Sequence, residues 1–222
     1  MDDVVFTALR GHMVREIAAH AAQVAEHIGK EALDDRVMAV MAKVPRHEFV
    51  PAELRQFAYL NRPLPIGYDK TISQPFINAL MTDLLDLRAD DRVLEIGTGL
   101  GYHAAILAEL ADMVYSVELI EELATEARKR IGGLGYRNVE VRVANGYYGW
   151  PEHGPFDKII VCAAPELVPP PLIGQLKPGG RIVIPAGLAD AQKLLVVEKS
   201  LEGRTRITEI LSVQFSALDM PH

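Results

Sequence analysis

Gly97, Gly99 and Gly101 follow the short apolar run Arg92-Val93-Leu94-Glu95-Ile96 and precede a helix-like stretch from His103 to Leu110. A glycine-rich turn between a strand and a helix lets a ligand approach the backbone closely, because no Cβ intrudes. One helix and one strand later, Tyr115-Ser116-Val117 ends in Glu118. A carboxylate at the tip of that second strand can accept both hydroxyl hydrogens of a ribose. These residues predict a nucleoside-containing cofactor on a doubly wound sheet.

Two cofactors are compatible with the glycines. Gly99-Leu100-Gly101-Tyr102-His103-Ala104 matches G-x-G-x-x-A, a short pattern shared with NAD-dependent oxidoreductases. Against NAD stands Glu95, whose charge at the strand end would repel a pyrophosphate. A later strand ends Val143-Ala144-Asn145-Gly146, a polar side chain and a glycine. S-adenosylmethionine explains both features better. It carries an ammonium group and no phosphate, and Asn145 can accept from its adenine amine. The oxidoreductase stays open as the alternative from a different enzyme class.

The elements that must position these residues follow from periodicity. Val5, Leu9, Met13, Ile17, Ala21, Val24 and Ile28 recur at helical spacing and predict a helix over 4–28, stopped by Gly29. A second helix is expected from Asp34, as N-cap, to Lys43, and a third from Pro51 to Tyr59. Residues 61–73 contain Pro63, Pro65 and Gly67 and read as extended loop. Gln74 to Leu87 reads as helix, with Pro75 in its first turn. Strands are expected at 92–96, 113–118, 139–143, 157–162, 180–185, 193–198 and 206–213, and helices at 101–111, 120–133 and 169–177. The first four strands are short and apolar, as in a parallel sheet covered on both faces. The last two lack an intervening helix and predict an antiparallel hairpin.

Composition sets the outer limits. The 222 residues, 49% of them hydrophobic, suit one α/β domain with a helical extension. The formal charge of −7 argues against a nucleic-acid partner. Cys162 is the single cysteine, so no internal disulfide can form. Asp2 and Asp3 stand where a secretory signal would be basic, and no apolar run approaches the ~18 residues of a membrane span. The expectation is a cytoplasmic protein with no membrane partner.

A family resemblance becomes specific in a longer series of segments. Gly67-Tyr68-Asp69-Lys70-Thr71-Ile72-Ser73-Gln74-Pro75 precedes the glycine turn. Phe156 to Ala164 (FDKIIVCAA), Gln175 to Arg181 (QLKPGGR) and Ile184-Pro185 follow it. Val44 to Pro51 (VPRHEFVP) and Arg62 to Gly67 (RPLPIG) belong to the same series. In this order the segments resemble the protein-L-isoaspartate O-methyltransferase family, over roughly residues 34 to 199. Thr71-Ile72-Ser73-Gln74-Pro75 is the most specific of them.

The resemblance implies a mostly parallel, seven-stranded, Rossmann-like methyltransferase sheet. Residues 1–75 would supply N-terminal helices and a substrate and cofactor loop, and 76–222 the core. It also implies an enzyme that methylates the α-carboxylate of isoaspartyl residues in damaged proteins and peptides, and so starts their repair. S-adenosylmethionine would be the methyl donor, S-adenosylhomocysteine the product, and no metal would be needed. Ser73 would orient the acceptor carboxylate, with Pro185 and Ala186 beside the substrate peptide. Thr71 and Ile72 would approach the cofactor, together with Glu95, Gly97, Thr98, Gly99, Gly101 and Leu119. Glu118 would take the ribose hydroxyls, and Asn145 and Gly146 would flank adenine. The acceptor carboxylate is ionised at neutral pH, with a reference pKa near ~4. Holding it in line with the methyl carbon is then the main task.

The chain also departs from the family pattern. Ala144-Asn145-Gly146 stands where Gly-Asp-Gly is usual, Leu100 replaces a small residue, His103 a Gln and Cys162 a Thr. The closing Phe215 to Asp219 follows the family's ending loosely. A divergent paralogue acting on another carboxylate, or a weakly active cofactor-binding module, therefore stays open. Plainer roles compete for several residues. Ser73 is also placed to cap the helix that follows it. His12, His20, His27 and His47 form no ligand set, Tyr147 and Trp150 read as packing residues near the adenine pocket, and Cys162 reads as an inert core thiol.

Overall fold

The computed structural model describes residues 3–219. A seven-stranded sheet is built from β3 (Arg92–Ile96), β4 (Met113–Glu118), β5 (Val139–Val143), β6 (Phe156–Val161), β7 (Leu176–Ala186), β8 (Lys193–Lys199) and β9 (Thr205–Ser212). Their order is β5-β4-β3-β6-β7-β8-β9. The pairs from β5 through β7 are parallel, while β8 runs antiparallel to both β7 and β9. The chain reverses direction across the sheet at β3, where β4 lies on one side and β6 on the other. Ligands bind outside the carboxyl ends of strands at such a switch point.

Alternation along the strands divides the core in two. Leu94, Ile96, Ile159, Val161, Ile182 and Ile184 pack on one face with Phe156, Trp150 and Leu172. Val93, Val114, Ile160 and Val183 pack on the other, with the helices α1 (Asp3–Gln23), α3 (Asp35–Lys43), α4 (Pro75–Leu85), α5 (Tyr102–Ala108) and α6 (Glu121–Gly133). The front of the chain therefore covers the sheet: α1 and α3 pack on α4. Among the described residues no helix is long and apolar enough to cross a membrane.

The first expected helix ends at Gln23, and a short turn of helix, α2 (Ala25–Ile28), completes it before the left-handed Gly29. Asp34 caps α3 by accepting from Arg36 N–H at 2.8 Å. The expected helix at 51–59 is a 3₁₀ segment, Ala52–Phe57. The expected loop at 61–73 is instead a small antiparallel hairpin, β1 (Leu64–Gly67) and β2 (Lys70–Ile72). Tyr68 and Asp69 make its turn with positive φ, 54° each. Asp adopts that conformation more readily than most residues, but Tyr does not signal it. The helix expected at 169–177 shortens to α7 (Pro170–Gly174), because β7 begins at Leu176.

Candidate active site

The carboxyl ends of β3, β4, β5 and β6 open onto a cleft of about 610 Å³. Ile96, Gly97, Gly99, Glu118, Leu119, Asn145, Gly146, Cys162 and Ala163 line it from the sheet. The hairpin side contributes Ile66, Lys70, Thr71 and Ser73, and the chain returns at residues 212–219 to form a further wall.

Glu118 is held before any ligand arrives. One carboxylate oxygen accepts from Gly99 N–H at 2.8 Å; the other accepts from Leu119 N–H at 2.9 Å and Ile120 N–H at 3.0 Å. The positive φ of Gly99, 56°, is what a glycine tolerates without strain. Three backbone donors fix the carboxylate's orientation at the cleft wall. Gly146 is required for a different reason: a Cβ there would collide with Ile96 Cγ2, which shares the cleft floor.

Asn145 sits in the third turn, and its Oδ1 accepts from Tyr147 N–H at 2.9 Å. The oxygen expected to face adenine thus already caps a short 3₁₀ turn, Gly146–Tyr148, and retains one lone pair. Tyr147 and Trp150 pack in the core cluster behind the cleft, and neither lines it.

Ser73 lines the cleft half-buried, and a buried cation holds its backbone. Arg46 is fully buried; its Nη2 donates to Ser73 O at 2.6 Å, its Nε to Ala58 O at 2.8 Å and its Nη1 to Asn78 Oδ1 at 3.3 Å. The guanidinium also lies over the Tyr102 ring, 4.8 Å from its centroid. Burial brings its pKa down to about 10, so it remains a cation at neutral pH. Ser73 is not the cap of α4. The N-cap residue is Gln74, which makes no side-chain capping bond, and Asn61 Oδ1 accepts from Phe76 N–H at 3.0 Å instead.

Several expected site residues lie away from the cleft. Ile72 points into the core, as alternation in β2 requires once Thr71 is exposed. Thr98 is buried, with its Oγ1 2.6 Å from Ser116 Oγ. Gly101 begins α5 against Ile131. Pro185 and Ala186 close β7, buried and outside the cleft lining. Glu95 is fully buried on the α5 side of β3 and accepts from Ser116 Oγ. Burial pushes its pKa up to about 8; the Ser116 hydrogen bond opposes this and Glu118 reinforces it. At neutral pH Glu95 is mainly a neutral acid behind the turn, so it brings no charge to an ammonium group in the cleft.

Sequence reasoning missed Ile66, Lys70, Cys162 and the returning segment 212–219 as cleft residues. Cys162 was findable, because it follows β6 as Gly97 follows β3. The returning C-terminal segment is held by a bridge between Ala164 and Ala217 and by the Gln192 side chain, which accepts from Phe215 N–H and donates to Phe215 O; contacts so far apart in sequence leave no local pattern.

Comparison with known proteins adds the family. The model of the family described as Protein-L-isoaspartate(D-aspartate) O-methyltransferase matches residues 20–220. Protein-L-isoaspartate O-methyltransferase 1 of Polaromonas sp. (strain JS666 / ATCC BAA-500) is 60% identical over 219 residues, covering 99% of this chain and 93% of that protein. A solved protein-L-isoaspartate O-methyltransferase superposes with a TM-score of 0.81 at 27% identity, covering 95% of this chain and 66% of that one. A Plasmodium falciparum structure of the putative enzyme of that name, solved with S-adenosyl-L-homocysteine, shares the fold with a TM-score of 0.78 at 22% identity, covering 96% of this chain and 97% of that one.

Proposed function

This chain belongs to the protein-L-isoaspartate O-methyltransferase family, and from that membership we propose how its cleft divides the work. The enzyme transfers a methyl group from S-adenosylmethionine to the α-carboxylate of isoaspartyl residues in damaged proteins, the step that starts their repair. When bound, S-adenosylmethionine supplies an electrophilic methyl group on a sulfonium, leaving S-adenosylhomocysteine.

The observation that carries the assignment is Glu118, a carboxylate anchored by three backbone amides on the wall of the cleft, beside a glycine turn. It offers a ribose two oriented acceptors at no reorganisation cost. Asn145 accepts from the adenine amine with its remaining lone pair, and Gly146 leaves room for the ring. Ser73, across the cleft on the segment anchored by Arg46, orients the acceptor carboxylate. No side chain needs to remove a proton, since that carboxylate is already ionised. The reading treats the chain as one working unit, in which residues 1–75 bring Ser73 to a sheet supplied by 76–222. A cytoplasmic location is part of it, supported by the absence of a second cysteine to pair with Cys162.

Calorimetry tests the ligand. S-adenosylmethionine and S-adenosylhomocysteine should both bind, with no comparable response to NAD; tight NAD binding without either would end this reading. Asn145→Leu should weaken cofactor binding by about 1–3 kcal/mol, the cost of a buried donor left unpaired. Asn145→Asp should keep or improve the affinity. Unchanged affinity in the Leu variant would place adenine elsewhere.

Ser73→Ala is expected to change stability by less than ~0.5 kcal/mol, because the residue caps nothing and sits half-buried. It should nonetheless slow methyl transfer in a protein that still binds the cofactor, since a freely rotating acceptor seldom lies in line. Ser73→Asp should suppress transfer further by setting a negative charge against an anionic substrate. The informative measurement is kcat beside the urea midpoint for all three proteins. Equal kcat in Ser and Ala would remove Ser73 from the site.

A further inference from the structure

We propose that Glu95, His103 and Cys162 form a binding site for one thiophilic divalent cation of the zinc class, set behind the cleft, which only Cys162 of the three lines. A Glu95 carboxylate oxygen, a His103 ring nitrogen and the Cys162 sulfur all lie within 4.8 Å of one another. The tightest pair, Cys162 Sγ and His103 Nδ1, stands 3.6 Å apart. Two ligands of a tetrahedral zinc, bonded at about 2.3 Å through sulfur and about 2.0–2.1 Å through nitrogen, are separated by roughly 3.5 Å. The pair is therefore already at ligand spacing.

Two further observations point to a ligand. Glu95 is fully buried, yet its Oε1 has no hydrogen-bond partner among the described residues. Buried polar atoms are rarely left so. The imidazole is also oriented as a metal ligand's second nitrogen requires. Thr82 Oγ1 donates to Asn78 O at 2.7 Å and so accepts from His103 Nε2 at 2.9 Å. Nε2 thus carries the hydrogen, and the Nδ1 lone pair faces Cys162. That lone pair now accepts from Asn78 Nδ2 at 3.1 Å, a bond the cation would replace.

Charge balance supports the same class of ion. His103 is neutral in this arrangement, because Nε2 carries the hydrogen and Nδ1 accepts from Asn78 Nδ2. The bound state comprises thiolate, carboxylate, neutral imidazole and dication, with no net charge to bury. Cys162 binds the cation as its thiolate, so its thiol gives up a proton on binding.

The test uses the full chain, stripped with a chelator and titrated with cobalt(II). One equivalent should bind, with a thiolate-to-cobalt charge-transfer absorption and release of protons. Because the chain has one cysteine, that absorption can come only from Cys162. Zinc should protect Cys162 from alkylation in the same protein. Cys162→Thr and His103→Gln should each weaken cobalt binding at least ~100-fold while retaining the native circular dichroism spectrum. No charge-transfer band at saturating cobalt, or unchanged cobalt affinity in Cys162→Thr, would overturn the proposal. The wild-type spectrum and the alkylation measurement keep the test decisive if either variant fails to fold.

Discussion

Glu118→Ala is expected to raise the dissociation constant for S-adenosylmethionine about 100-fold or more, equivalent to roughly 2.7 kcal/mol. The magnitude follows from the loss of two hydroxyl hydrogen bonds to a charged acceptor, each contributing about 1.5–3 kcal/mol, partly offset by water. Glu118→Gln should fall between, since one oxygen survives but the charge does not. The carboxylate also holds Gly99, Leu119 and Ile120 amides, so the Ala variant should show a lower Tm as well. Calorimetry below that Tm separates the two effects. Wild-type affinity in a folded Glu118→Ala protein would move the ribose out of this corner of the cleft.

Arg46→Leu should lower stability by about 3–5 kcal/mol, because two buried oxygens and one part-buried oxygen lose a charged donor at about 1–3 kcal/mol each. For a chain of this length that corresponds to a Tm lower by roughly 6–20 °C. Arg46→Lys should recover only part, since one ammonium cannot span Ala58, Asn78 and Ser73 as a planar fork does. The consequence extends to function. With Ser73 O released, the folded fraction of either variant should show a raised KM for the peptide and a nearly unchanged affinity for the cofactor. Urea unfolding and steady-state kinetics on the Lys variant measure both. A stability change below ~1 kcal/mol for Leu would mean that Arg46 is not holding these segments together.

What was legible in the sequence was what local chemistry determines. The strands β3, β4 and β5 have the expected bounds: β3 and β4 are short apolar runs buried in the sheet, and β5 is an edge strand of alternating valines and charged residues. Gly97, Gly99, Glu118, Asn145 and Gly146 reach one cleft because each ends or follows a parallel strand, and parallel strands end on the same side. The hairpin of β1 and β2 was hidden by Pro63, Pro65 and Gly67, which read as loop, and by a turn made from Tyr68 and Asp69. Glu95 looked like a charge for the cofactor, but the pleat turns it to the α5 side, where burial neutralises it. His103 and Cys162 are 59 residues apart and meet only through the pairing of β3 with β6. No spacing rule reports such a contact.

The most direct test of the account is methyl transfer from labelled S-adenosylmethionine to three matched peptides that differ at one residue: L-isoaspartyl, L-aspartyl and D-aspartyl. The account predicts rapid labelling of the isoaspartyl peptide, as a base-labile ester that releases methanol while a succinimide forms. It predicts labelling of the L-aspartyl peptide near background. Equal labelling of the isoaspartyl and L-aspartyl peptides, or none of either by a protein that binds S-adenosylmethionine, would contradict it.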